Sequence, residues 1–476
     1  MDAIVLNGFN GIIDRLPWSD GIKDTLSSTL MADATTGSTA TESIGMPCLQ
    51  AVLFTSWFCL VLTAILLILC RMYPMVELDL VLDVTSISAH VDVLRCHLKS
   101  LQKVTVKAFG DYEEAELLPV FQELAELPEL ESFAADLRLP FHILSLVVKG
   151  AKKLKKLSLH FQLRDNNRDG DITTLIKSIR NHPSLTSIVI ESCFYDAQLD
   201  INLDPLLLSV AEMQTVKSVS LYNLHCSNSV FSKMFQSSHL QSLEVSNIPN
   251  ISKEQIEVMA RNSSLKSLVA PIHPGTEEAW GRLVERNDAL EELVLVVERT
   301  HRSHNPHRDV FIPVAKALGA NKGLSSLTFD VLDLVQSTTS SEYGPTLLCV
   351  EAIASSIARN STLKSLRLGH CSERLRTDRE VLKHLVEAVR GNYTLERLEF
   401  GTGSSPSRLV PIPEIDFFLR CNRNGRGRIL RSGATSLCAQ MINFLIGHST
   451  DTSMVYHLLL EKPEVILLTS NSDIDE

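Results

Sequence analysis

The sequence predicts an α/β solenoid of about twelve repeats, each adding one strand to a concave parallel sheet and one helix to its outer side. A short phrase recurs along the chain: a leucine, two residues, an aliphatic residue, one residue and another aliphatic residue, as in Leu154–Leu159 and Leu363–Leu368. The copies begin at residues 75 (in degenerate form), 101, 130, 154, 185, 216, 240, 265, 290, 324, 363 and 395. Their mean spacing of about 29 residues is typical of stacked repeats.

Each phrase is predicted to form a short strand that sends its aliphatic side chains to one face and the intervening residues to the other. Amphipathic helices are predicted between the phrases. Ser252 and Gln255 form a capping-box pattern, and Ile251 and Ile256 flank it as a hydrophobic staple. The same box at Thr377–Glu380 precedes apolar residues at helical spacing. Because one strand and one helix cannot bury their own apolar faces, the repeats must stack.

Two copies of the phrase end in a cysteine, Cys193 and Cys371. With this ending, the helical segments between strands and the repeat length, residues 75–404 resemble the ribonuclease-inhibitor-like class of leucine-rich-repeat (LRR) proteins. The resemblance implies a horseshoe with a concave sheet that mostly binds proteins, and it implies no single chemistry. Most copies lack the closing Cys or Asn of that class and have other residues there, such as Leu224, His273, Glu298 and Gly403.

An uncharged apolar run covers residues 51–70. As a helix it would be about 30 Å long, the thickness of a bilayer's hydrocarbon core. We therefore expect one hydrophobic helix before the solenoid and interpret residues 49–72 as a single-pass membrane span. A buried helix capping the first repeat is the alternative, although such a helix should have a polar face. Lys and Arg are absent from residues 31–50 whereas Arg71 follows the run, which favours a cytosolic LRR domain.

The two ends of the chain are predicted to differ from the solenoid. Residues 1–48 are expected to be a disordered Ser/Thr-rich tail, because residues 25–45 are nearly free of the large apolar groups that would order them. Residues 405–476 are expected to form a helical C-terminal cap with an acidic tail, which shields the open edge of the sheet.

A cluster of arginines in this C-terminal region has two interpretations. The cluster could bind a phosphate or an acidic lipid. We favour a cap in which the side chains bind helix C-terminal carbonyls and neighbouring carboxylates. The residues are Arg420, Arg423, Arg426, Arg428 and Arg431.

Composition excludes some classes of function. The formal net charge of −11 argues against a nucleic-acid partner, which would call for a basic surface. Ten cysteines are scattered without a Cys-x-x-Cys pair, which is the usage expected in a reducing compartment. Sequons at Asn250, Asn262, Asn360 and Asn392 could indicate a lumenal domain. We favour a simpler origin, because Asn262 and Asn360 belong to a motif that recurs before the strand phrase.

Two loops carry residue types that bind metals. The acidic loop 165–171 matches part of a calcium-binding EF-hand loop, but Ile176 stands where that loop requires glutamate. We interpret it as an acidic turn that caps the next helix. His301, His304 and His307 could bind a transition metal, although we favour a solvated insertion. The sequence therefore predicts no metal site.

No nucleotide-binding, metalloprotease, hydrolase or kinase motif is present. We therefore predict no enzyme, no cofactor and no small-molecule substrate. The leading interpretation is a membrane-tethered scaffold or adaptor that binds a protein partner on the concave face of the sheet. The alternative is a GTPase-activating or regulatory LRR protein, which rests on fold analogy because no catalytic Asn or Arg can be matched here.

The outward strand positions predict which side chains line the concave face. Their charge runs basic, acidic and basic along the solenoid, and blocks more than about 10 Å apart act independently at physiological salt. The candidate partner-binding residues are Lys103, Lys107, Lys156 and His160, then Glu191, Tyr222, Glu244, Glu292 and Asp330, and finally Arg367 and Arg397.

Overall fold

The computed structural model describes residues 76–82, 91, 94–95, 100–108, 114–137, 140–161, 172–192, 203–224, 226–246, 251–273, 275–298, 311–332, 347–369, 379–400, 412–423, 426 and 456. They all belong to the second of two units into which the chain divides, Tyr73–Glu476. The predicted N-terminal tail, the apolar run at 51–70, the acidic loop 165–171 and the three histidines at 301–307 lie outside the described residues. Within the described ranges, no helix has the length and apolar character needed to cross a membrane.

Twelve strands form one parallel sheet, and each strand pairs with its neighbours in sequence. The strands are Glu77–Leu82 (β1), Lys103–Ala108 (β2), Ser132–Leu137 (β3), Lys156–Phe161 (β4), Ser187–Ser192 (β5), Ser218–Tyr222 (β6), Ser242–Ser246 (β7), Ser267–Pro271 (β8), Glu292–Glu298 (β9), Ser326–Leu332 (β10), Ser365–Leu368 (β11) and Arg397–Phe400 (β12). Every strand begins two residues after the start of its phrase, so the predicted strands are confirmed.

Helices provide the crossovers that parallel neighbours require. Those with described bounds are Glu114–Ala125 (α1), Phe141–Gly150 (α2), Ile172–Arg180 (α3), Asp204–Glu212 (α4), Asn228–Gln236 (α5), Lys253–Ala260 (α6), Glu277–Arg286 (α7), Ile312–Leu318 (α8), Leu347–Ile357 (α9), Arg379–Gly391 (α10) and Pro413–Arg423 (α11). The capping box at α6 is confirmed. The backbone amide of Gln255 donates to the Ser252 hydroxyl at 3.3 Å, and the backbone amide of Ser252 donates to the side-chain oxygen of Gln255 at 2.7 Å. The fold is the predicted LRR-type solenoid, whereas the ribonuclease-inhibitor-like class stays a prediction.

Alternation along the strands separates the core from the surface. In β5, Ile188 and Ile190 are fully buried, whereas Val189 and Glu191 between and beyond them are half-buried. The inward residues of successive strands stack in register and pack with the apolar sides of the helices into one core that extends from β1 to α11. Stacking therefore buries what a single repeat would leave exposed.

Asparagines join successive repeats in the C-terminal part of the solenoid, and all of them except the half-buried Asn262 are buried. The Asn360 amide nitrogen donates to the carbonyls of Leu318 at 2.7 Å and Asn321 at 3.1 Å in the preceding repeat. Its side-chain oxygen accepts from the backbone amides of Thr362 at 2.9 Å and Leu363 at 2.7 Å. Helix-end carbonyls such as that of Leu318 lack partners within their own helix. The residues that bridge in this way, the asparagine ladder, are Asn262, Asn287, Asn321, Asn360, Asn392 and Asn422.

Three sequon asparagines are members of this ladder. In Asn262, Asn360 and Asn392, the side-chain nitrogen that would carry a glycan donates two hydrogen bonds to backbone carbonyls. Asn360 and Asn392 are only 4% and 3% exposed. These three asparagines therefore join repeats, in agreement with the interpretation that their sequons belong to the repeat motif. The fourth sequon, Asn250, lies outside the described residues.

Arg426 closes the last described repeat. It is 1% exposed, and its guanidinium donates to the Arg390 carbonyl, near the C-terminal end of α10, at 2.8 Å. The guanidinium also lies over the Tyr393 ring at 4.6 Å and the Phe418 ring at 5.0 Å, a cation–π arrangement. This side chain thus takes the helix-end role that the asparagine ladder fills in the repeats before it.

The other described arginines of the cluster bind a nearby acid. Arg420 lies 3.2 Å and Arg423 3.8 Å from the carboxylate of Asp416 on the same helix. Together with Arg426, these contacts agree with the cap interpretation and not with a cluster reserved for phosphate. Arg428 and Arg431 lie outside the described residues, and the boundaries of the cap stay a prediction.

Candidate binding surface on the open face of the sheet

The outward strand positions form the side of the sheet that faces away from the core, which we call the open face. Strand pairing aligns these positions in columns across the sheet. One column runs from Glu77 to Arg397 and the next from Asp79 to Glu399, and a third includes His160, Glu191 and Tyr222. The register therefore makes side chains from distant parts of the sequence direct neighbours.

All eleven candidate partner-binding residues lie on the open face. Each is half-buried or exposed, so each side chain is available at the surface of the sheet. This is the side of the sheet on which the phrase predicts them. Their role in binding a partner stays a prediction.

Acids share the two ends of the face with the predicted basic residues. Lys103 forms an ion pair with Glu77, and Asp79 is exposed on the same strand as Glu77. At the other end, Glu399 is in register with Arg367. The outward positions of the terminal repeats thus hold these three acids beside the predicted cations. Both ends are therefore mixed in sign.

The middle of the face keeps its predicted negative sign. From β5 to β10, the outward positions with described side chains hold Glu191, Glu244, Glu292 and Asp330 and no Lys or Arg. We call these four residues the acidic centre. A run of one sign on one surface attracts ligands of the opposite sign and raises their association rate.

Hydroxyl groups from adjacent strands hold two carboxylates of the acidic centre. Ser220 donates to Glu244 at 3.1 Å, and Ser267 donates to Glu292 at 2.9 Å. Burial raises the pKa of Tyr222, and its hydrogen bond to Glu244 raises it further. The phenol therefore remains protonated and a donor at neutral pH.

Several acids on helices and connecting segments are bound differently, by Lys or Arg of an adjacent repeat. Four such pairs are Glu129 with Lys153, Glu131 with Lys155, Glu212 with Arg180, and Glu257 with Arg282. In the acidic centre, hydroxyls contact Glu244 and Glu292, and the Nδ1 of His160 lies 2.8 Å from Glu191. Because a hydroxyl does not neutralise a carboxylate, the centre keeps its attraction for cations.

An aliphatic patch beside the acidic centre was missed by sequence reasoning. Val269, Pro271, Val294 and Val296 occupy outward positions of β8 and β9, with Val269 in register with Val294 and Pro271 with Val296. Val269 and Val294 are half-buried, and Val296 is 8% exposed. We call these four residues the valine patch. Its signal was present, because most other repeats have a polar residue at the position of Val269 and Val294.

The acidic centre and the valine patch, with the serines around them, offer binding contacts of three kinds: carboxylates, hydroxyls and aliphatic side chains. Within the described ranges, no three His, Cys, Asp or Glu side chains are grouped so as to hold a metal ion. Burial raises the pKa of the Cys226 thiol to about 12, and the nearby Asp204 carboxylate adds to the shift. That thiol stays protonated at neutral pH and is a poor nucleophile.

Comparisons with known proteins add little. Neither a protein-family model nor a curated protein matches the chain. Among solved structures, the tropomodulin C-terminal domain of Caenorhabditis elegans is 13% identical with a TM-score of 0.27, covering 39% of this chain and 100% of that domain. Leiomodin-1 actin-binding site 2 is 16% identical with a TM-score of 0.23, covering 50% of this chain and 100% of that one. The fold assignment rests on the strand order and register.

Proposed function

We propose that this chain is a non-catalytic scaffold or adaptor that binds a protein partner on the open face of its sheet. The observation that carries the proposal is the acidic centre, in which hydroxyl groups orient the carboxylates of Glu244 and Glu292 without neutralising them. Side chains that are already held in place lose little conformational entropy when a partner binds. Solenoids of stacked repeats present extended surfaces of this kind for binding.

The size of the face supports a protein partner. Twelve strands at about 4.8 Å spacing make a sheet roughly 53 Å long, and six-residue strands make it about 20 Å wide. The resulting area of roughly 1,000 Å² is comparable to the ~800 Å² that each partner buries in a standard protein–protein interface. A small molecule would cover only a fraction of this surface.

Reversing the acidic centre tests the proposal. We expect the full-length variant Glu244→Lys, Glu292→Lys, Asp330→Lys to lose its principal protein partner, with affinity falling at least about tenfold, because three attractive contacts become repulsive. Partners captured by the unmodified chain would be identified by mass spectrometry, and affinities then measured by surface plasmon resonance.

A matched control separates this site from net charge. Glu285→Lys, Glu351→Lys, Glu387→Lys makes the same change of charge at exposed positions on α7, α9 and α10. This control should bind the partner like the unmodified chain. Equal binding by both variants would place the partner site away from the open face.

We also propose that residues 51–70 tether the chain to a membrane with the LRR domain in the cytosol. The support is the uncharged run and the single Arg71 that follows it. Carbonate extraction should leave the chain in the membrane fraction, and protease added to sealed vesicles should digest the LRR domain. Release into the supernatant would contradict the span, and protection of the LRR domain would contradict the orientation.

A further inference from the structure

We propose that the central part of the open face binds a segment of the partner that carries both cationic and aliphatic side chains. The inference rests on the proposed function and specifies the chemistry of the partner. It starts from the valine patch and uses the surrounding charges to identify the occupant.

The valine patch is a continuous apolar area on a sheet face otherwise rich in serine, threonine and charged residues. Register places Val269 beside Val294, and Pro271 beside Val296, on adjacent strands. Val269 and Val294 remain half-buried, so part of their surface meets water. Aliphatic side chains from a partner would remove that surface from water, which is favourable in proportion to the area covered.

Carboxylates border this patch on three sides. Glu244 is in register with Val269 on the preceding strand, and Asp330 is in register with Val296 on the following strand. Glu292 lies two residues before Val294 on the same side of β9. A segment that covers the valine patch therefore comes within reach of all three carboxylates.

The charge of these neighbours selects the occupant. An acidic or neutral segment would bury the carboxylates of Glu244 and Glu292 without supplying a counter-charge, which is costly. Lys or Arg would supply it, and their alkyl stems would lie along the valines while the charged ends reach the carboxylates. A second copy of this chain is disfavoured on this face, because its own acidic centre and its net charge of −11 repel.

Geometry sets the length of the segment. From Glu244 on β7 to Asp330 on β10 there are three strand steps, or about 14 Å. An extended peptide covers this distance in about five residues, so a probe of about ten residues spans the valine patch and its borders.

Synthetic peptides test the inference on the full-length chain in non-ionic detergent. Three labelled peptides of equal length, called lysine–leucine, lysine–serine and glutamate–leucine, repeat Lys-Lys-Leu-Leu, Lys-Lys-Ser-Ser and Glu-Glu-Leu-Leu, so that each face of the extended peptide carries both of its residue types. Fluorescence anisotropy should show the lysine–leucine peptide binding at least about tenfold more tightly than either of the others. Raising salt from about 0.1 M to about 1 M shortens the screening length from about 10 Å to about 3 Å and should weaken this binding.

Two sets of variants locate the peptide on the face. Glu244→Lys, Glu292→Lys, Asp330→Lys should lose the lysine–leucine peptide, whereas Glu285→Lys, Glu351→Lys, Glu387→Lys should keep it. Val269→Thr, Val294→Thr keeps the shape of the patch and makes it polar. This variant should weaken lysine–leucine binding several-fold and leave lysine–serine binding unchanged.

Each contrary result has a distinct meaning. Equal binding of the lysine–leucine and lysine–serine peptides would overturn the inference, because it would show that the valine patch does not contribute to binding. Undiminished binding by the acidic-centre variant, or formation of a dimer through the open face in analytical ultracentrifugation, would also overturn it. If the peptide fails to bind while the acidic-centre variant still loses the natural partner, this inference fails and the proposed function stands.

Discussion

The asparagine ladder divides the described solenoid into two regions that hold their successive repeats together in different ways. In the C-terminal region, from Asn262 to Asn422, each ladder residue donates to two backbone carbonyls of the preceding repeat. In the N-terminal region, the position three residues before the phrase is equally buried and holds Leu127, Ala151, His182, Met213 or Ser237. At this position the C-terminal region joins its repeats by hydrogen bonds, and the N-terminal region joins them mainly by packing.

This difference indicates which region of the solenoid is more stable against unfolding. In stacked repeats, stability is approximately the sum of the repeats and the interfaces between neighbours. Hydrogen bonds to buried helix-end carbonyls strengthen each interface of the C-terminal region, because an unpaired buried carbonyl is costly. We therefore expect the C-terminal region to be the more stable of the two.

Replacing a ladder residue should have the largest effect. Asn360→Leu keeps the branched shape and the number of heavy atoms of the side chain but removes its hydrogen bonds to two carbonyls and two amides. We expect the free energy of unfolding to fall by about 3–5 kcal/mol, because these buried groups lose their partners. Urea unfolding followed by circular dichroism measures the loss.

The matched change in the other region is Met213→Leu at the equivalent position. A swap between apolar residues of similar volume should cost less than about 1.5 kcal/mol. Hydrogen exchange should show faster opening around Asn360 in the first variant only. Similar losses in the two variants would mean that the regions do not differ in how they hold their repeats.

Sequence reasoning succeeded where the signal is local and failed where it depends on neighbouring repeats. The phrase alone located every strand and assigned its inward and outward residues. It could not show that Asn360 reaches the carbonyl of Leu318, because that contact joins two repeats and in sequence the asparagine reads as a sequon. Val269 and Val294 are inconspicuous separately, and only the register of β8 and β9 makes them one patch.

His182 should produce an intermediate, pH-dependent effect in the N-terminal region. Its Nε2 lies 2.9 Å from the Ala151 carbonyl, and its Nδ1 accepts from the Ser184 amide at 3.4 Å. Burial lowers the pKa of His182, and the nearby Lys152 lowers it further. Below the unfolded pKa of about 6.5, the unfolded state therefore binds more protons than the folded state, and stability falls as pH decreases.

The expected loss between about pH 7 and pH 5.5 is at most about 1 kcal/mol. Comparing urea unfolding midpoints at the two pH values measures it. His182→Asn places a ladder residue at this position and should remove this part of the pH dependence, whereas His384→Asn on the exposed side of α10 should not. If the pH dependence of stability were unchanged in His182→Asn, it would have to come from other titratable groups.

Ion pairs between adjacent repeats should give the smallest difference between the regions. Glu257 lies 2.5 Å from Arg282 and 3.5 Å from Arg286, and the hydrogen bond from Arg282 holds the pKa of Glu257 below its usual range. Glu212 has one described partner, Arg180, at 3.2 Å, and both side chains are exposed. We expect Glu257→Gln to cost about 0.5–1 kcal/mol and Glu212→Gln less than about 0.5 kcal/mol, because exposed pairs are screened by water and salt.

Chemical denaturation at low and high salt would check both, and the Glu257 effect should shrink as salt rises. A larger loss for Glu212→Gln would show that the N-terminal region compensates for the missing asparagines with charge.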